Sequence, residues 1–249
     1  MLDIRFVIAY LCILSTLNMN INPTTEDYLR SLYKLENRDL KATNAALAKE
    51  LNVTSAAVTD MLRKLDELGL VSYQKYKGVT LTKSGLAIAT RITRRHRLWE
   101  VFLIQHLRFA WDEVHDLADQ LEHIRSDELT DRLDEFLGHP QHDPHGDPIP
   151  TRDGVVSVRT LTPIGQLQPG EEGTVQRVSD EFPELLRYAV MVGLSLGSHI
   201  KAIERIQFDG SVRLTADGRE SVISAKLAES VFVQLAPARS AKKKTGGKG

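Results

Sequence analysis

Four residues between positions 115 and 123, namely His115, Asp119, Glu122 and His123, are of the types that ligate divalent metal ions. On a helix they stand at i, i+4, i+7 and i+8, so all four project from one face within an arc of roughly 100°. His96 and Glu100, again four residues apart, supply a second imidazole and carboxylate with the same geometry on a preceding helix. Neither set closes a site alone, because a divalent cation takes about four to six donors. The two helices must share ligands with each other or with another part of the chain. His139, His142 and His145 also invite a metal reading, but their Pro-rich surroundings give no rigid spacing, and they read as exposed loop histidines.

Composition bounds what such a site could serve. The chain has 249 residues, enough for two or three compact domains, and a formal net charge of -1. Its charge is nevertheless segregated. Between Arg63 and Arg97 the basic residues are opposed only by Asp66 and Glu67, whereas from Glu100 to Asp153 the balance is strongly acidic. That arrangement suggests two partners of opposite charge, an anion and a cation. Cys12 is the one cysteine, which excludes a disulfide framework or a thiolate cluster and fits a reducing, cytoplasmic setting. The apolar run Phe6 to Leu17 follows a single Arg5, is short for a bilayer span and has no small-residue cleavage site after it. Residues 1–18 therefore read as a leader from an upstream start, with Met19 as the functional start and no membrane partner expected.

The elements that must position the ligands begin with a helix opened by Pro23 and Thr24, Thr24 as its cap, with Glu26 and Asp27 complementing the helix dipole. Tyr28, Leu29, Leu32, Tyr33 and Leu35 form its apolar face. A short helix from Thr43 to Leu51, a tight turn at Asn52 and Val53, and a third helix capped by Thr54 and stopped by Gly69 form a helix-turn-helix pattern. Two β-rich runs, Leu70 to Lys75 and Val79 to Thr82, then read as a two-stranded wing. In a winged helix the third helix enters the major groove, so Ser55, Ala56, Thr59 and Asp60 face base edges, and Lys64, Lys75 and Lys77 meet phosphates.

A long helix from Lys83 carries apolar residues on more than one side, which with the helices Glu113 to Ile124 and Asp127 to Leu137 predicts a helical dimer interface. A homodimer would supply the two-fold symmetry of a palindromic operator. After the irregular stretch Gly138 to Pro150, short strands at Val155–Thr160, Gly173–Val178, Ile200–Ile206, Ser211–Leu214 and Val231–Leu235, with a helix around Pro183 to Tyr188, predict a small five-stranded barrel. The tail after Pro237 has no apolar pattern and reads as disordered. The expected organisation is therefore a mainly α chain with β: a winged helix-turn-helix over 19–90, a helical metal-binding and dimerisation domain over 91–150, a barrel over 155–236 and a basic tail over 237–249.

Taken in order, Thr24-Thr-Glu-Asp-Tyr28, the winged helix, His96-Arg-Leu-Trp-Glu100, the 115–123 motif, Pro144-His-Gly-Asp-Pro-Ile-Pro150 and a β-rich C-terminal domain resemble the diphtheria toxin repressor family of metal-activated transcriptional repressors. The resemblance covers nearly everything after Met19. It implies a primary metal site of Asp27, Asp119, Glu122 and His123. It also implies an ancillary site of His96, Glu100 and His115, completed by an acidic residue of an SH3-like C-terminal domain, Asp180 ahead of Glu181. Iron-responsive members place Met and Cys where this chain has Asp27 and Asp119. With oxygen and imidazole donors alone, the sites suit a hard ion, so Mn²⁺ is the expected co-repressor, with Fe²⁺ left open. The expected partners are then double-stranded operator DNA, a second copy of the chain and the divalent ion. Genes for metal uptake are what the family implies as targets.

Two other readings stay open on sequence alone. One is a winged-helix regulator sensing a small organic ligand, its acidic helices merely salt-bridged on a solvent face. The other is a two-metal hydrolase, for which no catalytic loop or substrate pocket is recognisable.

Overall fold

The computed structural model describes residues 21–37, 41–74 and 78–236, which form two compact units. The expectations for the apolar leader over 1–18, for Lys75 and Lys77, and for the basic tail fall outside these residues.

The first unit takes in residues 21–109 (as far as described), 114–143 and 148–157. Helix α1 is Pro23–Asn37. Its cap is Asn22, whose Oδ1 accepts the Thr25 amide at 2.8 Å, and Pro23 takes the first helical position where no amide is needed. The cap expected at Thr24 thus lies two residues earlier. Helices α2 (Asn44–Glu50) and α3 (Ser55–Glu67) are capped by the hydroxyls of Thr43 and Thr54, the latter as the sequence predicts. Val58, Leu62 and Leu65 of α3 are fully buried against Leu29 and Leu32 of α1 and Leu47 of α2 in one apolar cluster. Each such side chain contributes about 1.5–3 kcal/mol on burial. Gly69 ends α3 at φ 69°. Strands β1 (Val71–Gln74) and β2 (Gly78–Leu81) pair antiparallel as the wing.

Helix α4 runs unbroken from Lys83 to Leu107. Gly85 lets it start tight against the wing, since a Cβ there would stand 1.9 Å from the Leu70 carbonyl oxygen. In its middle turns the buried residues include polar ones, Thr93, Arg94, Arg95, His96 and Glu100, beside the apolar Ile92, Leu98 and Val101. The Arg91–Arg97 end of the basic block read as an anion-binding segment is consumed here. Arg91 pairs with Asp127, Arg94 with Asp134, Arg95 with Glu26 and Arg97 with Asp143. Helix α5 is shorter than expected, Val114–Leu121, and α6 spans Asp127–Phe136 with Ser126 as its cap. Trp99, Phe102, His106 and Phe136 form a ring cluster beside Leu133, and Phe136 is 62% exposed.

The second unit comprises residues 110–113, 144–147 and 158–236. Its six-stranded antiparallel sheet has the order β3 (Thr162–Pro163), β8 (Val231–Leu235), β4 (Glu172–Val178), β5 (His199–Arg205), β6 (Val212–Ala216), β7 (Arg219–Ile223). Bulges in β4 and β5 bend it around a core that includes Val175, Ile200, Leu214 and Val233. Helices α7 (Pro183–Met191) and α8 (Ala225–Ser230) flank it. Three expectations are corrected. Val155–Thr160 is not a strand, and the polar stretch Arg219–Ile223 is an edge strand. His145, expected in solvent, is buried and stacks on Trp111 at 5.4 Å.

Candidate metal centre and DNA-facing surface

Helix α1 presents Glu26, Asp27 and Arg30 toward α4 and the end of α5. Glu122 and His123 are not on the α5 helix but in the turn that closes it. The Glu122 amide still reaches the Ala118 carbonyl at 2.8 Å, and the Ile124 amide bonds Leu121 three residues back. That tightening changes the expected common helix face. One donor atom each from Asp27, Glu122 and His123 lies within 4.8 Å of the other two, and the same holds for His96, His115 and Asp119. The structure therefore brings three of the four expected primary ligands together and turns Asp119 toward the second set.

The two sets are continuous. His96 Nδ1 lies 2.7 Å from Glu122 Oε2 and 3.2 Å from Asp119 Oδ1, while its Nε2 lies 3.0 Å from Glu100 Oε1. His115 Nδ1 reaches the same Glu100 oxygen at 3.4 Å. At the other end His123 Nε2 lies 3.3 Å from Asp27 Oδ1. Asp180 and Glu181 lie in the second unit, between β4 and α7.

The charges follow from this crowding. Burial pushes the His96 imidazole toward its neutral form, but Glu100 and Asp119 outweigh burial and the opposing Arg30, raising its pKa well above the ordinary 6.5. Burial also favours protonation of Asp119, yet His96, Arg30 and His115 hold it well below the usual carboxylate range. Burial raises Asp27, with His123 opposing.

Several residues that shape the centre carry no motif signal. Glu26 is 4% exposed and receives His123 Nδ1 at 2.7 Å, with Arg95 and Arg125 each at 3.1 Å. Arg30 reaches Asp119 Oδ1 at 2.7 Å and Glu122 Oε1 at 3.1 Å. Sequence reasoning took Glu26 as a dipole partner. Its i, i+4 spacing to Arg30 was the available clue that both share one face with Asp27.

The donor set fits a divalent ion. It contains only carboxylate oxygen and imidazole nitrogen. Asp119 Oδ1 and Glu122 Oε1 are buried and lack a hydrogen bond of good geometry: both face Arg30 at ion-pair distance, and Asp119 Oδ1 also lies 3.2 Å from His96 Nδ1. Buried acceptors in that condition are what a metal ion would satisfy.

On α3, Ser55, Ala56, Asp60 and Lys64 are exposed together on the side away from the core. Asp60 pairs with Arg63 at 3.5 Å. Thr59 is half-buried, and its hydroxyl accepts from Asn44 Nδ2 at 2.7 Å and donates to the Ser55 carbonyl at 2.9 Å. Much of its hydrogen-bonding capacity is therefore used inside the helix-turn-helix.

Fold and site together define a winged-helix regulator with a metal-binding helical body. Residues 20–79 match "Iron dependent repressor, N-terminal DNA binding domain", residues 82–151 match "Iron dependent repressor, metal binding and dimerisation domain", and residues 162–235 match the FeoA domain, the SH3-like part. The chain is 31% identical over 173 residues to the diphtheria toxin repressor of Corynebacterium jeikeium, covering 68% of this chain and 72% of that protein. It is 28% identical over 225 residues to that of Corynebacterium diphtheriae, covering 85% and 96%. A solved structure titled "Manganese-dependent transcriptional repressor complex with manganese" matches with TM-score 0.81 at 38% identity, covering 85% of this chain and all of the other. The manganese regulator SloR matches with TM-score 0.74 at 34% identity, covering 87% and 100%. The chain belongs to the diphtheria toxin repressor family of metal-dependent, DNA-binding repressors, which are regulators rather than enzymes. The hydrolase and organic-ligand readings are thereby set aside. Among the described residues no helix is long and apolar enough to cross a membrane.

Proposed function

We propose that this repressor responds to Mn²⁺ in the cytoplasm and controls metal-uptake genes. The observation that carries the choice of ion is the donor set: Asp27 and Asp119 provide hard oxygen where iron-responsive relatives use sulfur, and among the described residues the donors are carboxylates and imidazoles alone. In this reading Asp27, Asp119, Glu122 and His123 hold one ion, and His96, Glu100 and His115 contribute to a second. A bound cation would supply positive charge that the carboxylates neutralise, while the neutral imidazoles would donate ring-nitrogen lone pairs to it.

The chain's own residues account for the coupling to DNA. Asp27 belongs to α1, which packs on the helix-turn-helix core, whereas Glu122 and His123 belong to the turn after α5. Ligation of both fixes the angle between the reading helix and the helical body. In a dimer built on the exposed apolar surface near Phe136, that angle sets the spacing of two α3 helices over successive half-sites. The population shifts only by the difference in ion affinity between the DNA-competent and incompetent states.

Anaerobic titration of metal-free protein with Mn²⁺ and with Fe²⁺, followed by operator affinity, tests the reading. Stronger activation by Mn²⁺ is expected. Equal or stronger activation by Fe²⁺ would overturn the choice of ion.

A further inference from the structure

Arg30 occupies an unusual place for a guanidinium. Its side chain is 16% exposed, and it projects from the same face of α1 as Asp27, three residues earlier. Its Nη2 lies 2.7 Å from Asp119 Oδ1, its Nε 3.1 Å from Glu122 Oε1, and its Nη1 3.1 Å from His96 Nδ1. All three contacts are to residues assigned above as metal ligands.

We infer that Arg30 is a resident cation of the metal centre: its guanidinium neutralises Asp119 and Glu122 in the metal-free protein, and metal loading requires it to release both. The inference rests on the metal-repressor reading and adds an affinity-setting residue to it. Buried carboxylates without a counter-charge are costly, and Glu122 is fully buried. A planar fork spanning two carboxylates holds them near one another before any ion arrives. The same charge opposes a divalent ion in two ways. It repels the incoming cation, and its ion pairs must be broken before both oxygens can ligate. Arg30 thus raises the metal concentration at which the site fills.

The alternative is that Arg30 only positions the carboxylates, in which case its loss weakens metal binding. Calorimetric titration of Mn²⁺ into metal-free wild type, Arg30→Gln and Arg30→Lys separates the two, with thermal melts of the same proteins. The expected result is that Arg30→Gln binds on the order of tenfold more tightly. Its metal-free midpoint falls below wild type, and the gap between metal-free and loaded midpoints widens. Arg30→Lys, a point charge that cannot bridge both carboxylates as a fork, falls between, and it carries the measurement should Arg30→Gln not fold without metal. Equal or weaker binding by the variants, with wild type still binding, would overturn the inference and leave the metal reading intact. No binding by any of the three proteins would overturn both.

Discussion

Glu26 and His123 stand 97 positions apart and meet at 2.7 Å, with the Glu26 carboxylate on the Nδ1 side of the ring. That contact fixes which nitrogen of His123 is committed and leaves Nε2 directed toward Asp27, 3.3 Å away. A carboxylate on the far nitrogen of a metal-binding imidazole orients the ring and raises its basicity. Glu26→Gln is therefore expected to lower Mn²⁺ affinity by about 10–100-fold with retained helicity, measured by calorimetry and circular dichroism. An unchanged affinity would show that Glu26 serves only Arg95 and Arg125.

Asp27 is the proposed ligand that joins α1 to the helical body. Asp27→Ala is expected to abolish metal-dependent operator binding in a gel-shift titration while the metal-free melt stays near wild type. Its carboxylate is partly exposed, and burial already works against its charge. Retained activation would remove Asp27 from the ligand set.

Metal uptake is expected to release protons. His96 carries a raised pKa in the metal-free protein, chiefly because Glu100 and Asp119 outweigh its burial, and a coordinated imidazole must be neutral. The sign follows directly. Acidification weakens Mn²⁺ binding, and the proton release shrinks as pH rises through the His96 pKa. Calorimetry in buffers of different ionisation enthalpy counts these protons, and heats independent of buffer would contradict the role of His96.

On α3 the exposed charges divide into two kinds. Lys64→Ala is expected to weaken binding uniformly across sequences and reduce the salt slope by about one. Asp60 can only accept hydrogen bonds, as from the cytosine amine. Asp60→Asn is expected to alter preference at one operator position by about 1–3 kcal/mol, read from selection of bound DNA out of a random pool.

Much of the fold could be read in advance because its signals are local. Thr54 caps α3 where the sequence places it, and Gly69 ends α3 as expected. Charge was misleading for the opposite reason. Arg91, Arg94, Arg95 and Arg97 look like a basic surface in sequence, yet their acidic partners arrive from segments remote in the chain. The types of the metal ligands were legible, but not the turn that carries Glu122 and His123 beyond α5. Glu26 and Arg30 are marked in sequence only by sharing a face with Asp27, a weak signal because polar groups on an amphipathic helix ordinarily face solvent. Strand β7 was missed because Arg219 and Glu220 suit a charged sheet edge and break the apolar alternation of a strand.

The central claim is that one ion joins α1 to the turn after α5. Anomalous diffraction at the manganese edge from crystals of the loaded protein tests it most directly. A peak within bonding distance of Asp27, Glu122 and His123 is the predicted result. Loaded crystals with these three side chains apart and no peak between them would contradict it.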